Sequence, residues 1–181
     1  MGWLEGKELG MSVKNPAELG RELREGSGIY LKRRRGILGL TFFTSTVLAG
    51  VALYQTGIWK KLPEPRWSGF DAEKVNGSAE AYSLLAVPDG LLGFVSYAVT
   101  ACLAGAGPED RWRATPLLPV AMGLKLLADA AFAGKLTLDE CRKFRAFSLW
   151  SLLAAGATFT ALPFAVPEMK AALQQLRGRE I

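Results

Sequence analysis

Four long apolar blocks, joined by short polar segments, decide what this chain can become. They run from Gly36 to Trp59, from about Leu84 to Ala106, from about Pro116 to Gly134, and from about Phe144 to Val166. A helix that crosses a bilayer needs roughly 20 mostly apolar residues, and each block is of that order. Half of the residues are hydrophobic and 22% are charged, yet the two kinds are segregated along the chain. Soluble domains interleave them. The expectation is therefore an all-α integral membrane protein, a bundle of four transmembrane helices bathed by the lipid bilayer. Residues 1–35 form an N-terminal tail, 36–166 the bundle and 167–181 a C-terminal tail.

Local signals refine this outline. Asn15-Pro16-Ala17-Glu18 reads as an N-cap, a first turn and a capping-box glutamate. A short amphipathic helix through Arg24 should follow, stopped by Gly26, with Leu19 and Leu23 on one face. Two readings of it stay open: it lies on the membrane surface or a partner, or it is solvated. The third block should start with Thr115 as N-cap and Pro116 at the first helical position. The fourth should end near Pro163 and Pro167, which cannot continue a helix without a kink. The first block does not read as a secretory signal, although Val47-Leu48-Ala49 would pass as a cleavage site. Thirty-five residues precede it, and the apolar run continues past Ala49.

Orientation follows from lysine and arginine. Thirteen lie in the N-terminal tail, the 107–115 loop and the C-terminal tail; eight lie in the 60–83 loop and the 135–145 segment. The cluster Lys32-Arg33-Arg34-Arg35 abuts the first block. Both termini are therefore placed in the cytoplasm and the 60–83 loop outside. Trp59, Trp67 and Trp112 fall at the expected interfaces, where indole rings prefer to sit.

Composition excludes several chemistries. The chain has two cysteines, Cys102 and Cys141, and no histidine. A metal site is not expected, and a Ser-His-Asp or Cys-His nucleophile lacks its base. The net charge of +5 is clustered beside apolar blocks. That suits lipid head groups, not nucleic acid, for which a basic face with interleaved aromatics would be needed. Gly105 and Gly107 close an apolar block and form no phosphate loop. Cys102 reads as a small buried apolar residue near the cytoplasmic end of the second helix. Cys141 lies in the outer loop, either as an exposed thiol or intermolecular link, or as an inert loop residue. Across a bilayer the two cannot bridge within one chain.

Lys125 and Asp129 are the charged residues deep inside the expected spans, whereas Asp89 and Arg145 lie near the ends of theirs. Four apart, they can pair along one helix face. They read either as a proton or ligand site or as a neutralised pair facing the interior. The second is the simpler, because one pair without ionisable neighbours makes no relay. Ala49, Gly50, Ala52, Ala154, Ala155, Gly156, Ala157 and Ala161 read as packing positions, with Gly156 and Thr160 a small-xxx-small step.

The fourth block opens with Ser148-Leu149-Trp150-Ser151, whose two hydroxyls fall on one helix face. This stretch resembles the start of the fourth helix in the bacterial vitamin K epoxide reductase family, where a Cys-x-x-Cys stands. A second stretch, residues 75–98, is similar to that family's approach to its second helix, with Val75, Ser78, Pro88, Gly93 and Tyr97 in matching places. The likeness spans roughly residues 36–166. It implies a four-helix membrane fold in the bacterial inner membrane and quinone-linked thiol oxidation. The departures are chemical: both helix-four cysteines read as serine, and the 60–83 loop has none of the shuttle cysteines. A serine hydroxyl is un-ionised at neutral pH and forms no analogue of a reversible disulfide. What survives is a polar notch of Ser148, Ser151 and Trp150 under Asn76, Ser78 and Tyr82. It could donate to a quinone carbonyl, or its hydroxyls could bond carbonyls one turn back along the helix.

The expected role is that of a redox-inactive accessory or stabilising subunit, packed against other membrane-protein subunits of a larger electron-transfer or photosynthetic assembly. The alternatives are a quinone-binding protein and an active oxidoreductase that uses Cys141 with a partner's thiol.

Overall fold

A computed structural model describes residues 15–178. The start of the N-terminal tail, with Lys7 and Lys14, and Arg179 of the C-terminal tail lie outside the described residues. The architecture is all-helical, with no strand among the described residues. Four helices dominate: α2 (Ile29–Gln55), α4 (Asp89–Gly105), α6 (Leu117–Asp139) and α7 (Leu149–Arg177), with three short ones, α1 (Pro16–Glu25), α3 (Ala72–Asn76) and α5 (Arg111–Ala114). The long helices α2 and α7, and α6 with the π-turn Glu140–Phe144 that continues it, are each apolar and long enough to cross a membrane. Three such helices in one chain mark a membrane protein. Helix α4 is also apolar but has 17 residues. At 1.5 Å per residue it covers about 25 Å, short of a hydrocarbon core of about 30 Å.

The second apolar block therefore yields a shorter helix than expected. Leu85 and Ala86 both take positive φ, 57° and 54°, and Pro88 is the N-cap, so helix can begin only at Asp89. The other blocks yield longer helices. Helix α2 starts at Ile29, which puts the Lys32–Arg35 cluster inside the helix. Helix α7 does not stop at Pro163 or Pro167 but runs through both to Arg177. Each proline removes one amide, and the surrounding helix holds. Thr115 is not the N-cap of α6: Pro116 is, and Thr115 closes α5 instead, its amide donating to the Arg111 carbonyl at 2.8 Å.

Helix α2 packs against both α4 and α7, α7 packs against α6, and the ring closes thinly between α6 and α4. The apolar centre is Ile37, Ala104, Met122, Leu126, Ala161 and Ala165. Small residues allow the close approaches: a Cβ on Gly50 would lie 2.5 Å from the Trp150 ring, and one on Gly123 would collide with the Met169 sulfur. The Gly156–Thr160 step does not serve this packing. Both residues are exposed, nothing lies within 4 Å of a Cβ built on Gly156, and the Thr160 hydroxyl donates to the Gly156 carbonyl at 2.7 Å. Cys102 likewise is exposed on α4, not buried as its sequence context suggested.

The end of the bundle that gathers the tails, the tail end, is fastened by two buried arginines. Arg34, 1% exposed, donates to the carbonyls of Ala104, Ala106, Gly107 and Pro108 at 2.9–3.0 Å. Arg111 is fully buried and grips Glu168 through Nε at 2.8 Å and Nη2 at 3.0 Å, while Nη1 donates to the Ala106 carbonyl at 2.7 Å. Glu168 is itself 1% exposed. Arg34 and Glu168 thus add charged residues buried within the long helices to Lys125 and Asp129. Helix α1 is tied to the same end: the Asn15 side chain accepts from the Ala17 amide at 3.1 Å, and Arg35 donates to the carbonyls of Leu23 and Arg24 at 2.8 and 3.1 Å. The Glu109 amide donates to Glu22 at 2.8 Å.

Removing one member of a buried ion pair leaves the other uncompensated, which costs about 3–5 kcal/mol. Glu168→Ala should therefore lower the thermal unfolding midpoint in detergent sharply, and Glu168→Gln should lower it less. An unchanged midpoint in both would show that Arg111 does not depend on that carboxylate.

Candidate functional site

At the opposite end, the loop end, the 60–83 loop folds down onto the start of α7. Ser148 takes an extended conformation (φ −98°, ψ 126°) and is the N-cap, with its Oγ accepting from the Ser151 amide at 3.4 Å. Its local sequence favours this, since a short hydroxyl side chain can replace the missing helical acceptor of a first-turn amide. Ser148 is 0% exposed, and its hydroxyl oxygen accepts a second hydrogen bond, from Asn76 Nδ2 at 2.9 Å. The same amide nitrogen donates to the Ala72 carbonyl at 2.9 Å, which holds Asn76 in place at the end of α3. So Ser148 does not turn its hydroxyl oxygen to a carbonyl one turn back; it caps the helix and receives Asn76.

Carboxylates close the rest of this helix start. Glu64 accepts from the Leu149 amide at 2.7 Å and, through its other oxygen, from the Ala72 amide at 2.6 Å, so one side chain caps both α7 and α3. Glu140, 4% exposed, accepts from the Ser148 amide at 3.2 Å, and the Ser151 side chain lies against the same carboxylate. Negative groups at a helix N-terminus meet the positive end of its dipole. Backbone pairing adds to the join: the Asp71 amide donates to the Phe147 carbonyl at 3.0 Å and the Phe147 amide to the Gly69 carbonyl at 2.9 Å, beside a parallel bridge from Phe70 to Phe147.

Gln55, at the last position of α2, links this cluster to α4. Its amide nitrogen donates to the Asn76 carbonyl at 3.0 Å and to Asp89 at 2.6 Å, and its oxygen accepts from the Gly90 amide at 3.0 Å. The Tyr82 hydroxyl donates to the Gln55 carbonyl at 3.0 Å. Trp150 donates from its indole nitrogen to the Pro63 carbonyl at 2.9 Å and stands edge-on to Trp59 at 6.2 Å. Ser78 begins the 3₁₀ turn Ala79–Tyr82, without a side-chain cap.

Of the residues singled out from the sequence, Asn76, Ser148 and Ser151 come together, and Tyr82 and Trp150 are tied to the chain around them. The donors of Asn76, Tyr82 and Trp150 all have partners within the protein, and no buried side-chain polar atom among the described residues lacks one. Cys141, next to Glu140, is free and exposed; Cys102 is also free.

Lys125 and Asp129 meet at 2.6 Å. Two hydroxyls from α4 complete the cluster: Lys125 donates to Ser96 at 2.8 Å and Thr100 at 3.2 Å, and Asp129 accepts from Ser96 at 3.2 Å and Thr100 at 3.0 Å. It lies in the α4–α6 seam, where apolar packing is thinnest. Sequence reasoning missed Glu64, Gln55 and Glu140. The one available signal was an acidic residue held between two prolines, Pro63-Glu64-Pro65.

A hydrogen bond to a charged group contributes about 1.5–3 kcal/mol. Glu64→Ala frees two amides at once and should destabilise the protein by about 2–4 kcal/mol, whereas Glu64→Gln keeps one acceptor and should cost less. Chemical denaturation in mixed micelles, followed by tryptophan emission, measures both; equal stability of Glu64→Ala and the parent contradicts the double cap.

Comparison with known proteins places this geometry in a family. The model of the vitamin K epoxide reductase family matches residues 65–166, more than half of the chain, from just past Glu64 to near the end of the core stretch of α7. No curated protein matches the chain. The matched segment holds the loop that folds onto Ser148 together with α4, α6 and most of α7, and the chain belongs to the vitamin K epoxide reductase family.

Proposed function

We propose that this chain is a redox-inactive member of its family, serving as an accessory or stabilising subunit of a larger membrane assembly such as an electron-transfer complex. One observation carries the reading. Where the resemblance puts the first of two vicinal thiols, Ser148 is fully buried and its hydroxyl accepts from Asn76 and from the Ser151 amide. A thiolate could attack a disulfide or a quinone from such a place; a serine hydroxyl cannot, and no histidine is present to activate it.

What the arrangement does offer is stability. Helix α7 is clamped to the 60–83 loop at one end and to Arg111 at the other. On this reading the Lys125–Asp129 cluster is also packing, a neutralised pair that joins α4 to α6. The bundle is closed chemically but open as a surface: Leu91, Phe94, Val95 and Val99 of α4 and Leu124 and Phe132 of α6 are exposed. Lipid and neighbouring subunits are the partners such a face accepts.

The chain is placed in a bacterial inner membrane with both termini cytoplasmic. The excess of lysine and arginine in the tails and the 107–115 loop supports this, although Arg34 and Arg111 owe their positions to backbone carbonyls as well.

Extraction in a mild detergent, followed by affinity isolation of the tagged chain, tests the role. The expected result is a stoichiometric complex with other membrane subunits. In the same preparation, menaquinone-dependent oxidation of a dithiol should be absent. A lone monodisperse protein contradicts the accessory role, and turnover abolished by alkylating Cys141 contradicts redox inactivity.

A further inference from the structure

A groove of about 550 Å³ opens on the outside of the bundle between α6 and α7, near the loop end. Its floor is apolar: Leu127, Gly134, Leu138 and Phe159 line it. Gly134 is what gives it depth, since the Phe159 ring lies 3.5 Å from the place a Cβ would take. Leu127, Leu138 and Phe159 are about half exposed, at 48%, 55% and 47%. From Leu127 to Leu138 the groove follows the helix for about 16 Å, close to the depth of one leaflet, half of a core of about 30 Å.

Its mouth is cationic. Lys135, Asp139 and Arg142 line it. Asp139 is shared by two ammonium groups, Lys135 at 3.4 Å and Lys143 at 3.7 Å. The nearby Glu140 is turned inward to the Ser148 amide and offers no second carboxylate. Arg142 is exposed and has no hydrogen bond or ion pair among the described residues. Lys135 and Arg142 at the mouth, with Lys143 beyond it paired to the same Asp139, thus leave an excess of positive charge where an apolar trough one leaflet deep reaches the membrane surface.

We propose that this groove binds one anionic diacyl phospholipid of the adjacent leaflet, its phosphate held by Arg142 and Lys135 and an acyl chain lying over Gly134 against Phe159 and Leu127. The charge selects the head group and the length selects the tail. A partner helix is the poorer occupant, because it would need a track through both leaflets and this one ends at Leu127. The site is independent of the redox reading: it shares no residue with the Ser148 cluster.

Native mass spectrometry of the full chain, released from nanodiscs of equimolar phosphatidylglycerol and phosphatidylcholine, tests the proposal. One retained phosphatidylglycerol per chain is expected, in clear excess over phosphatidylcholine. The double variant Arg142→Gln, Lys135→Gln should lose that preference by about tenfold. Gly134→Leu, which fills the trough from the outside, should lower retention of both lipids, and Lys60→Gln, in the other loop, should change nothing. Equal retention of the two lipids overturns the proposal. So does a preference untouched by the double variant, or a co-purifying protein that protects residue 142 from modification in place of lipid.

Discussion

Every helix end in a membrane bundle presents amides or carbonyls that have no partner in the helix itself, and where water is excluded each one must find a donor or acceptor elsewhere in the chain. This requirement organises the whole molecule. At the tail end the orphan groups of α4 are carbonyls, and guanidinium groups meet them: Arg34 reaches Ala104 and Ala106, and Arg111 reaches Ala106. Arg35 does the same for α1. At the loop end the orphan groups are amides, and oxygens meet them: Glu64 at Leu149, Glu140 at Ser148, and the Gln55 oxygen at Gly90. The charges carry the sign that each helix dipole favours. Because these caps come from other elements, the same bonds that satisfy the helix ends also hold the elements together.

The loop end gains a particular meaning from the family to which the chain belongs. The resemblance puts vicinal thiols at the start of α7, and a disulfide there would be a covalent and reversible feature. Here the same place is a helix cap. Ser148 uses its hydroxyl oxygen for the Ser151 amide and Asn76, and the loop above it is held by Glu64 and by the Phe147–Gly69 and Asp71–Phe147 backbone bonds. A site built this way is held by hydrogen bonds to side chains and backbone of neighbouring segments. None of its bonds can be made and broken by electron transfer.

The apolar blocks made the helical architecture legible, because hydropathy over some twenty residues is a property of the sequence alone. The Asn15 cap and the Gly26 stop were legible for the same reason: they are local. The pairing of Lys125 with Asp129 follows from their spacing, but Ser96 and Thr100 lie on another helix and only the fold brings them in. Glu64, Gln55, Arg34, Arg111 and Glu168 were hidden because their partners are distant in sequence and mostly backbone atoms, which carry no residue signature. Arg34 looked like one more charge in a basic run, yet it is 1% exposed. Proline misled in the other direction. Pro167 stands one residue before Glu168, and the need to bring that carboxylate to Arg111 goes with a helix that continues past the proline.

The central claim is that the 60–83 loop is locked onto the start of α7 by side-chain caps and not by sulfur. Hydrogen exchange of the purified chain in nanodiscs, read by mass spectrometry under reducing conditions, addresses it most directly. The amides of Ala72, Ser148 and Leu149 should exchange as slowly as those in the middle of α7, around Ala161, with or without reductant. If they exchange as fast as an exposed loop, or only after reduction, the clasp described here does not hold the protein together.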